Sequence, residues 1–408
     1  MNILYINHYA GNLQMGMEYR PFLMAREWVR LGHSVTIVAA SFAHTRSVQA
    51  PERDTVSEMN VEGVRYVFLP TPSYQGNGVA RVKNIFTFVA RLFGLATHLG
   101  DWRPDAVIAS STYPIDIYPA RRLAKRYGAK LVWEVHDLWP LSPMELGGMA
   151  WWHPFIWLMQ RGENAACRAA QKVVCMLPKA QVHLEAHGMA AAKFVYIPNG
   201  IVAADWVPAL RSAPPPAILD WMAAQHARGY QVLVYAGAHG VANALPDLIA
   251  AMALLKDLPL ALLMLGQGPE KPALQAQAAN LGLAHLYFAD AIPKTAVPTV
   301  LEAADILYIG WQRQAIYRFG INPNKLMDYM LAAKPILHAV EAGNDPVQAA
   351  GCGVSVPPAN PEAIAQGLRQ LHALTAAEKS ALGARGKAFV LAHHDYPILS
   401  SKFLDALI

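Results

Sequence analysis

The chain has 408 residues, 54% of them hydrophobic and 15% charged, and carries a formal net charge of +5. This length allows two domains with separate cores, and the composition argues for a well-buried globular protein with large apolar elements. The positive charge suits an anionic partner such as lipid or a phosphate-bearing substrate, but it is too small to indicate nucleic acid.

The sequence argues against a membrane span and against secretion. Its longest apolar stretches, residues 149–159 and 260–266, are well short of the roughly 20 residues that a spanning helix needs. The N-terminus, MNILYINHYAG, lacks the basic region, long apolar segment and cleavage site of a secretory signal and is typical of a buried strand. The cysteines Cys167, Cys175 and Cys352 form no CxxC pair or disulfide framework, so we expect a reducing cytosol.

Short apolar runs alternate with amphipathic segments along the N-terminal half, a pattern that is typical of parallel α/β sheets. Helices are predicted at residues 17–32 and near 80–98. The predicted strands of this half are 2–8, 33–41, 104–111, 130–137, 172–178 and 193–200.

A proline-rich run at residues 205–221 lacks strand pattern and indicates a linker, after which a second series of strands begins. The predicted strands of the second half are 230–240, 260–270, 286–292, 304–311 and 334–340. We expect two Rossmann-like, doubly wound parallel sheets that face a central cleft, because open α/β sheets bind ligands at the carboxyl ends of their strands. The predicted domains are 1–204 on the acceptor side, a linker at 205–228, a nucleotide-sugar-binding domain at 229–388, and a helix at 389–408 that crosses back to the first domain.

Polar residues end one otherwise apolar strand of the first half. In WEVHDLWP, Glu134, His136 and Asp137 stand where a parallel sheet forms its sites. Buried polar groups are costly unless they are paired or used. The pattern favours a functional histidine, the alternative being a histidine that is satisfied by Asp137 or by the backbone.

The first strand-to-helix loop, residues 11–21, is long enough to line a cleft and contains Gly16. Glu18 and Arg20 in this loop can either contact an acceptor or cap and salt-bridge the following helix. The sequence leaves these two interpretations open.

Two segments combine aromatic and basic residues. Residues 81–93 form an amphipathic stretch, and residues 147–164 include three tryptophans. Such helices either lie on an anionic membrane surface or pack their aromatic face into a core. Both interpretations stay open.

Glycines follow two strands of the second half. Gly266 and Gly268 in GQGPE, and Gly237 with His239 in AGAHG, suit a phosphate near a helix start. A plain tight turn explains each motif as well. Neither is a dinucleotide fingerprint or a Walker motif.

The stretch NPNKLMDYM predicts a helix with Asn322 as its N-cap and Pro323 in its first position. Lys325, Asp328 and Tyr329 would share one face of this helix. Free backbone N–H groups, a lysine and a carboxylate together make a candidate anion and hydroxyl site. The alternative is an ordinary capped helix with a surface Lys–Asp pair.

The sequence contains no HExxH, no His/Cys cluster, no DxD triplet and no G-x-S-x-G elbow. We therefore expect no metal and no cofactor, and no paired carboxylates of the kind that glycoside hydrolases use.

Taken in order, the motifs RPFLMAREWVRLGHSVTIVAA, EVHDLWP, YIPNG, YAGAHG, LGQGPE and NPNKLMDYMLAAKP resemble those of family 4 retaining glycosyltransferases. These enzymes have the GT-B fold. The similarity is strongest to the L-fucosamine-transferase-like branch of surface-polysaccharide enzymes, and it covers nearly the whole chain.

The resemblance implies roles for particular residues. His136 falls where the family keeps a histidine near the donor sugar and the reacting phosphate oxygen. Asp328 falls on the second acid of the family's E-x7-E motif, which holds the nucleotide ribose, whereas Gly320 replaces the first acid. Ala238 occupies the place of the usual diphosphate-binding arginine.

Because of these departures, the resemblance implies that NPNK replaces the family's usual diphosphate-binding residues. Lys325 and the helix N-terminus would oppose the diphosphate charge, and Asn322 and Asn324 would contact sugar hydroxyls. Backbone near Ile292 would meet the base. Catalysis is assigned to His136 and Lys325.

The expected activity is retaining hexosyl transfer from a nucleotide diphosphate sugar, with UDP as the nucleotide. The expected acceptor is a glycan or polyprenyl-linked glycan of O-antigen or exopolysaccharide synthesis, at the inner face of the cell membrane. A nucleotide-sugar 2-epimerase of the same fold is an alternative, although the sequence shows no acid–base residues for both faces of a sugar. A non-catalytic nucleotide-sugar-binding partner in glycan assembly is the third interpretation, because the family's first acid and arginine are missing.

Overall fold

Parallel strands joined by helices build both of the units into which the chain divides. The computed structural model describes residues 1–52, 54–76 and 78–408. Unit 1 contains Met1–Asn199 and Tyr396–Ile408, and unit 2 contains Gly200–Asp395.

The sheet of unit 1 has the strand order β3-β4-β2-β1-β5-β6-β7-β8. Its pairs are parallel except for β3 with β4, an antiparallel hairpin at one edge. The strands are β1 Asn2–Ile6, β2 Ser34–Ala40, β3 Ser57–Val61, β4 Val64–Leu69, β5 Ala106–Ala109, β6 Lys130–Val135, β7 Lys172–Cys175 and β8 Phe194–Tyr196.

The β3–β4 hairpin was absent from the sequence-based assignment. Glu62 and Gly63 form its turn with φ of 51° and 84°, which suits the right-handed twist of a two-residue hairpin loop. Because β3 alternates buried and exposed residues at the sheet edge, it lacks the continuous apolar run of a central strand.

Helices connect the strands of unit 1, and the last helix of the chain belongs to this unit. Trp28 on the first helix donates its indole N–H to the Ser400 carbonyl at 3.0 Å, and its ring packs edge-on against Phe403. The helices are α1 Arg20–Arg30, α2 Val79–Leu92, α3 Ile117–Tyr127, α4 Leu141–Glu145, α5 Pro154–Ala169, α6 Gln181–Ala186 and, from the C-terminus, α15 Tyr396–Leu407.

Unit 2 has a parallel sheet in the order β11-β10-β9-β12-β13-β14. Alternate residues of β9 point into two different buried clusters, Val232 and Val234 into one and Leu233 and Tyr235 into the other. Both faces of this sheet are therefore covered, as expected for a doubly wound fold. The strands are β9 Gln231–Ala236, β10 Leu260–Leu265, β11 Leu286–Ala289, β12 Ile306–Gly310, β13 Ile336–Ala339 and β14 Gly353–Val356.

The helices of unit 2 include one inside the predicted linker and one at the NPNK motif. The helix at NPNK begins at Asn324 with Pro323 as its N-cap, so the prediction that Asn322 caps it was wrong by one residue. Pro323 has extended backbone and precedes the helix. The helices are α7 Pro216–Ala227, α8 Leu245–Ala253, α9 Lys271–Asn280, α10 Val297–Glu302, α11 Asn324–Leu331, α12 Pro346–Ala350, α13 Pro361–Ala373 and α14 Ala376–His393.

Within the described ranges, no helix has both the length and the apolar character needed to cross a bilayer. The cysteines Cys167, Cys175 and Cys352 are free and buried.

Candidate functional site

A buried carboxylate lies near the carboxyl end of β6 in unit 1. Glu134 is 0% exposed and forms a 2.9 Å ion pair with Arg20 Nε. Ser110 Oγ donates to its Oε2 at 2.7 Å, and the Tyr5 hydroxyl donates to the same oxygen. Burial raises the pKa of the Glu134 carboxyl, but Arg20, His136 and Tyr5 together hold it well below its usual range.

His136 is attached to this network. Its Nε2 lies 2.9 Å from Ser110 Oγ and 3.4 Å from Glu134 Oε2. Burial lowers the pKa of His136, but the hydrogen bond and charge of Glu134 outweigh it, so the net shift is upward. The partners of His136 are therefore Ser110 and Glu134, and not Asp137 as the alternative interpretation proposed.

Arg20 has a different environment from that of a surface acceptor contact. It is 1% exposed, and its guanidinium also donates to the carbonyls of Ile197 and Pro198. Its salt bridge reaches across the sheet to Glu134 and not along its own helix. Arg20 thus fixes the Glu134 carboxylate, and through it His136.

The other acceptor-side residues of the sequence prediction are more open. Gly16, in the loop before α1, has φ of 100° and forms an isolated β-bridge with Arg46, which follows β2. Glu18 is half-buried, and burial raises the pKa of its carboxyl while the nearby His136 lowers it. Asp137 is exposed directly after His136. Glu18 and His136 are thus close enough to interact electrostatically.

In unit 2, Lys325 on α11 reaches the carboxyl end of β9. Its Nζ donates to Tyr235 Oη at 3.0 Å and to Asn243 Oδ1 at 2.6 Å, and lies 4.7 Å from the centre of the Tyr235 ring. Burial lowers the pKa of Lys325 to about 8. In the described part of the chain Lys325 has no carboxylate in an ion pair, so the surface Lys–Asp pair of the alternative interpretation is not formed.

The network extends to the position where the family places its arginine. Tyr235 Oη donates to the Ala238 carbonyl at 2.7 Å, and Asn243 Nδ2 donates to the same oxygen at 2.9 Å. A Cβ on Gly237 would lie 3.0 Å from Lys325 Nζ. Gly237 therefore leaves room for the ammonium group beside the backbone.

Gly266 and Gly268 are required by close contact between chain segments. A Cβ on Gly266 would lie 1.9 Å from the Gly237 carbonyl oxygen, and one on Gly268 would lie 2.2 Å from the His239 carbonyl oxygen. These glycines let the turns after β9 and β10 pack directly against each other. Of the two original interpretations, the structure provides direct evidence for the tight packing.

His239 is 0% exposed, and neither of its ring nitrogens has a hydrogen-bond partner among the residues that the structure describes. Burial is the largest cause that lowers its pKa to about 4, and the charges of Lys271 and Lys325 lower it further. The imidazole is therefore neutral at neutral pH, with one donor and one acceptor available.

The remaining donor-side residues of the prediction are spread around α11. Asn324 is exposed in its first turn, and Asn322 is half-buried just before it. Burial raises the pKa of Asp328, which lies near Lys294 and Trp206 rather than Lys325. Ile292 is half-buried against the core of unit 2.

Tyr329 does not share the polar face, because it is 1% exposed and its hydroxyl hydrogen-bonds to the Ala236 backbone. This part of the sequence prediction was wrong, since the Tyr329 ring fills the core below β9.

Sequence reasoning missed several members of both clusters. Tyr5 and Ser110 hold the unit 1 carboxylate, and Tyr235 and Asn243 hold the unit 2 lysine. Lys271 is also buried, with its Nζ 2.6 Å from Asp290 and 3.1 Å from the carbonyls of Gly266 and Ala289. Their positions in the sequence could have indicated two of them, because Ser110 directly follows β5 and Asn243 lies in the loop after β9, where parallel sheets form their sites.

The two halves of the chain match two families of domains. Residues 15–200 match the glycosyl transferase 4-like domain, and residues 230–373 match glycosyl transferases group 1. The chain is also similar to WcaI of Escherichia coli (strain K12), whose name assigns it to colanic acid biosynthesis as a glycosyl transferase. The identity is 24% over 362 residues, which cover 84% of this chain and 86% of WcaI.

Solved structures show the same architecture over the full length. Sucrose-phosphate synthase from Thermosynechococcus elongatus aligns with a TM-score of 0.74 at 15% identity, covering 99% of this chain and 98% of the synthase. HepE of Anabaena in complex with UDP-glucose aligns with a TM-score of 0.65 at 13% identity, covering 100% of this chain and 99% of HepE. At these identities the similarity shows the fold.

Proposed function

The chain belongs to the family 4 glycosyltransferases of the GT-B fold, and we propose that it transfers a hexosyl group with retention from a UDP-sugar to a glycan or lipid-linked glycan. In this reaction the bond between the sugar's anomeric carbon and the UDP oxygen breaks, and a bond to an acceptor oxygen forms. The acceptor's proton passes to the departing phosphate oxygen. No metal or cofactor is required in this proposal.

The observation that carries the proposal is the half-buried cation of unit 2. Lys325 interacts with neutral oxygens of Tyr235 and Asn243, and burial lowers its pKa to about 8. A positive charge held in this way is stabilised when an anion binds beside it. A diphosphate supplies that anion, and its growing charge on departure is what a transferase must stabilise.

The other donor-side residues surround this cation in the proposed complex. Gly237 leaves room beside the ammonium group, and the neutral His239 offers one donor and one acceptor. The first turn of α11 with Asn322 and Asn324 contacts sugar hydroxyls, Asp328 binds the ribose, and the backbone near Ile292 meets the base. Gly266 and Gly268 hold the adjoining turns close together.

Unit 1 supplies the acceptor-side groups in this proposal. His136 binds the transferred sugar and the reacting phosphate oxygen, while Glu18, Asp137 and the loop at Gly16 contact the acceptor. The raised pKa of His136 supports a cationic imidazole that binds oxygen anions. Arg20, being buried, acts as a positioning residue for Glu134 and His136.

The choice of UDP and of a cell-surface glycan rests on similarity. HepE is a structural neighbour solved with UDP-glucose, and WcaI carries a name from colanic acid biosynthesis. Both support a UDP-sugar donor and a polysaccharide product.

An exposed aromatic surface of unit 1 supports an acceptor that is held at a membrane. Trp151, Trp152 and Trp157 are 72%, 69% and 58% exposed, and Arg161 stacks over the Trp157 ring at 4.5 Å. Tryptophan and arginine side by side are typical of proteins that lie at an anionic lipid surface. We call Trp151, Trp152, Trp157 and Arg161 the tryptophan face.

Helix α2 combines a core face with a similar exposed face. Lys83, Phe86 and Phe93 recur at helical spacing on its exposed side, whereas Ile85 and Val89 are buried in a cluster that also contains Met159 of α5. One face of this helix therefore packs into the core, as one of the two interpretations expected, and its other face is exposed. We propose peripheral attachment to anionic lipid through α2 and the tryptophan face.

The direct test replaces Lys325 by alanine and follows transfer from UDP-sugars to lipid-linked glycan without added metal. Losing the cation should lower the rate at least ~100-fold and abolish the stabilisation by UDP in thermal melting. Lys256→Ala, which removes an exposed lysine of the same unit, is the matched control and should behave as wild type.

Three other results would contradict the proposal or favour one of the alternative functions. Equal transfer by Lys325→Ala and wild type would refute the site. Conversion of the UDP-sugar without acceptor to its 2-epimer would show the epimerase activity, and UDP binding without any transfer would show a non-catalytic partner.

A further inference from the structure

A second polar cluster lies in unit 1, apart from the groups assigned to transfer. Glu163 on α5 is 0% exposed, and both ion-pair partners that the structure gives it are histidines. His183 Nε2 lies 2.9 Å from Oε1, and His187 Nδ1 lies 3.9 Å from Oε2. We propose that Glu163, His183 and His187 form a binding site for a divalent transition-metal ion of the zinc type.

The geometry suits such an ion. One ligand atom from each residue lies within 4.8 Å of the others. Tetrahedral zinc with metal–ligand bonds of about 2.0–2.2 Å separates neighbouring ligand atoms by about 3.4 Å. The two imidazole nitrogens lie 2.9 and 3.9 Å from oxygens of the Glu163 carboxylate, which brackets that value.

The chain supplies the ligands from two elements. His183 in α6 and His187 directly after it are four residues apart, so their side chains extend from the same side of one helical turn. Their rings lie 4.5 Å apart, centre to centre. Glu163 faces them from α5, so a bound ion would join α5 to α6.

The electrostatics also favour a cation. A fully buried carboxylate needs a compensating charge, and within the described residues the ion-pair partners of Glu163 are the two imidazoles. Metal ligation uses the neutral form of an imidazole. A bound ion would supply positive charge next to the Glu163 carboxylate.

Neighbouring amide side chains contact the proposed ligand atoms. Gln160 Nε2 donates to Glu163 Oε2 at 2.7 Å and lies 2.9 Å from His187 Nδ1. Asn164 Oδ1 lies 3.0 Å from the same nitrogen. An ion bound to His187 Nδ1 would displace the two contacts to this nitrogen. The His183 and His187 side chains are 12% and 27% exposed, which leaves a path from solvent.

Sequence reasoning missed this site: His183 and His187 have the i, i+4 spacing of many metal ligands, but the third residue, Glu163, is 20 residues away on another helix. The site is a structural one in this proposal and takes no part in transfer. Imidazole ligands favour zinc, nickel, copper and cobalt over magnesium and calcium.

The test uses the full-length protein after removal of metal with a chelator. Zn²⁺ should raise the melting temperature by at least ~3 °C, Mg²⁺ should not, and Co²⁺ should develop visible d–d absorption of a four-coordinate site. His187→Ala removes one ligand and leaves the Glu163–His183 pair intact, so it should fold normally and bind Zn²⁺ at least ~10-fold more weakly.

The matched control is His226→Ala, because His226 pairs with Asp305 at 2.9 Å in unit 2 without belonging to the cluster. This variant should bind Zn²⁺ like wild type. Glu163→Gln, which preserves shape and removes the charge, should lose both the thermal shift and the Co²⁺ spectrum. Equal Zn²⁺ affinity in wild type and His187→Ala, or an equal response to Mg²⁺, would overturn the proposal.

Discussion

The two units share one architecture, but they differ in whether a charged side chain near the ends of their strands has an opposite charge beside it. In unit 1, the Glu134 carboxylate is neutralised by Arg20 and accepts hydrogen bonds from Tyr5 and Ser110. In unit 2, the partners of the Lys325 ammonium among the described residues are two neutral oxygens and an aromatic ring. The charge of the first cluster is compensated internally, whereas in our proposal an anion from a ligand compensates the second.

This difference suits the two clusters to different tasks: the Glu134 network to orienting a neighbouring side chain, and Lys325 to binding a ligand. A compensated buried network fixes the orientation of the group at its edge, here His136. An uncompensated cation gains most when a ligand supplies the opposite charge. The same fold thus positions His136 through an internal ion pair, and in our proposal it leaves Lys325 to bind a phosphate.

The largest expected effect comes from breaking the complete network. Glu134→Ala leaves the Arg20 guanidinium buried without its counter-charge, and we expect the free energy of unfolding to fall by about 3–5 kcal/mol. Lys325→Met removes a half-buried cation that forms no ion pair with any described residue, so stability should stay unchanged or rise slightly. Urea denaturation of both variants measures the contrast, and similar losses in the two would remove the distinction between the clusters.

An intermediate effect concerns the surfaces of the two units. Replacing Trp151, Trp152 and Trp157 by serine removes the exposed indoles of the tryptophan face, and binding to vesicles of anionic lipid should weaken at least ~10-fold. Val207→Ser with Leu210→Ser removes exposed apolar side chains of unit 2, which are 44% and 54% exposed, and should leave binding unchanged.

Vesicle co-sedimentation measures both variants, with neutral lipid as a further control. The proposal fails if the tryptophan variant sediments like wild type. It also fails if neutral and anionic vesicles bind equally well.

The sequence predicted the central strands well because both faces of those strands are buried. A strand such as β10, LALLML, is then continuously apolar and easy to recognise. The edge strand β3 was missed because its half-exposed pattern resembles that of a loop, whereas β4, VRYVFL, is mostly buried and was missed despite its apolar pattern. The start of α11 was displaced by one residue because Asn322 and Pro323 fit a cap nearly as well as Pro323 and Asn324 do.

The candidate site was predictable only in part. The sequence singled out His136 and Lys325 as candidates because polar residues stand out after apolar strands or at a helix start. Their partners were not, since Tyr235 and Asn243 lie 90 and 82 residues before Lys325 in the chain. Such pairings depend on strand order, which places β9 beside β12 and thereby brings its end to α11.

The smallest expected effect is a pH dependence confined to the incomplete cluster. In the free protein burial lowers the pKa of Lys325 to about 8, and a bound diphosphate favours the charged form and raises it. Affinity for UDP should therefore be full below that pH and weaken as the pH rises, by ~3-fold between pH 7.5 and 8.5 from the loss of protonated lysine.

Calorimetric titration of UDP across this range measures the slope, and Lys325→Arg is the decisive variant because arginine stays charged throughout. If that variant binds UDP with a flat profile while wild type weakens, Lys325 is the titrating group. A flat wild-type profile, or the same slope in both proteins, would mean that the affinity for UDP does not depend on the charge of Lys325. The contacts of Lys325 would then serve packing alone, and its charge would be stabilised within the protein, like that of Glu134 in unit 1.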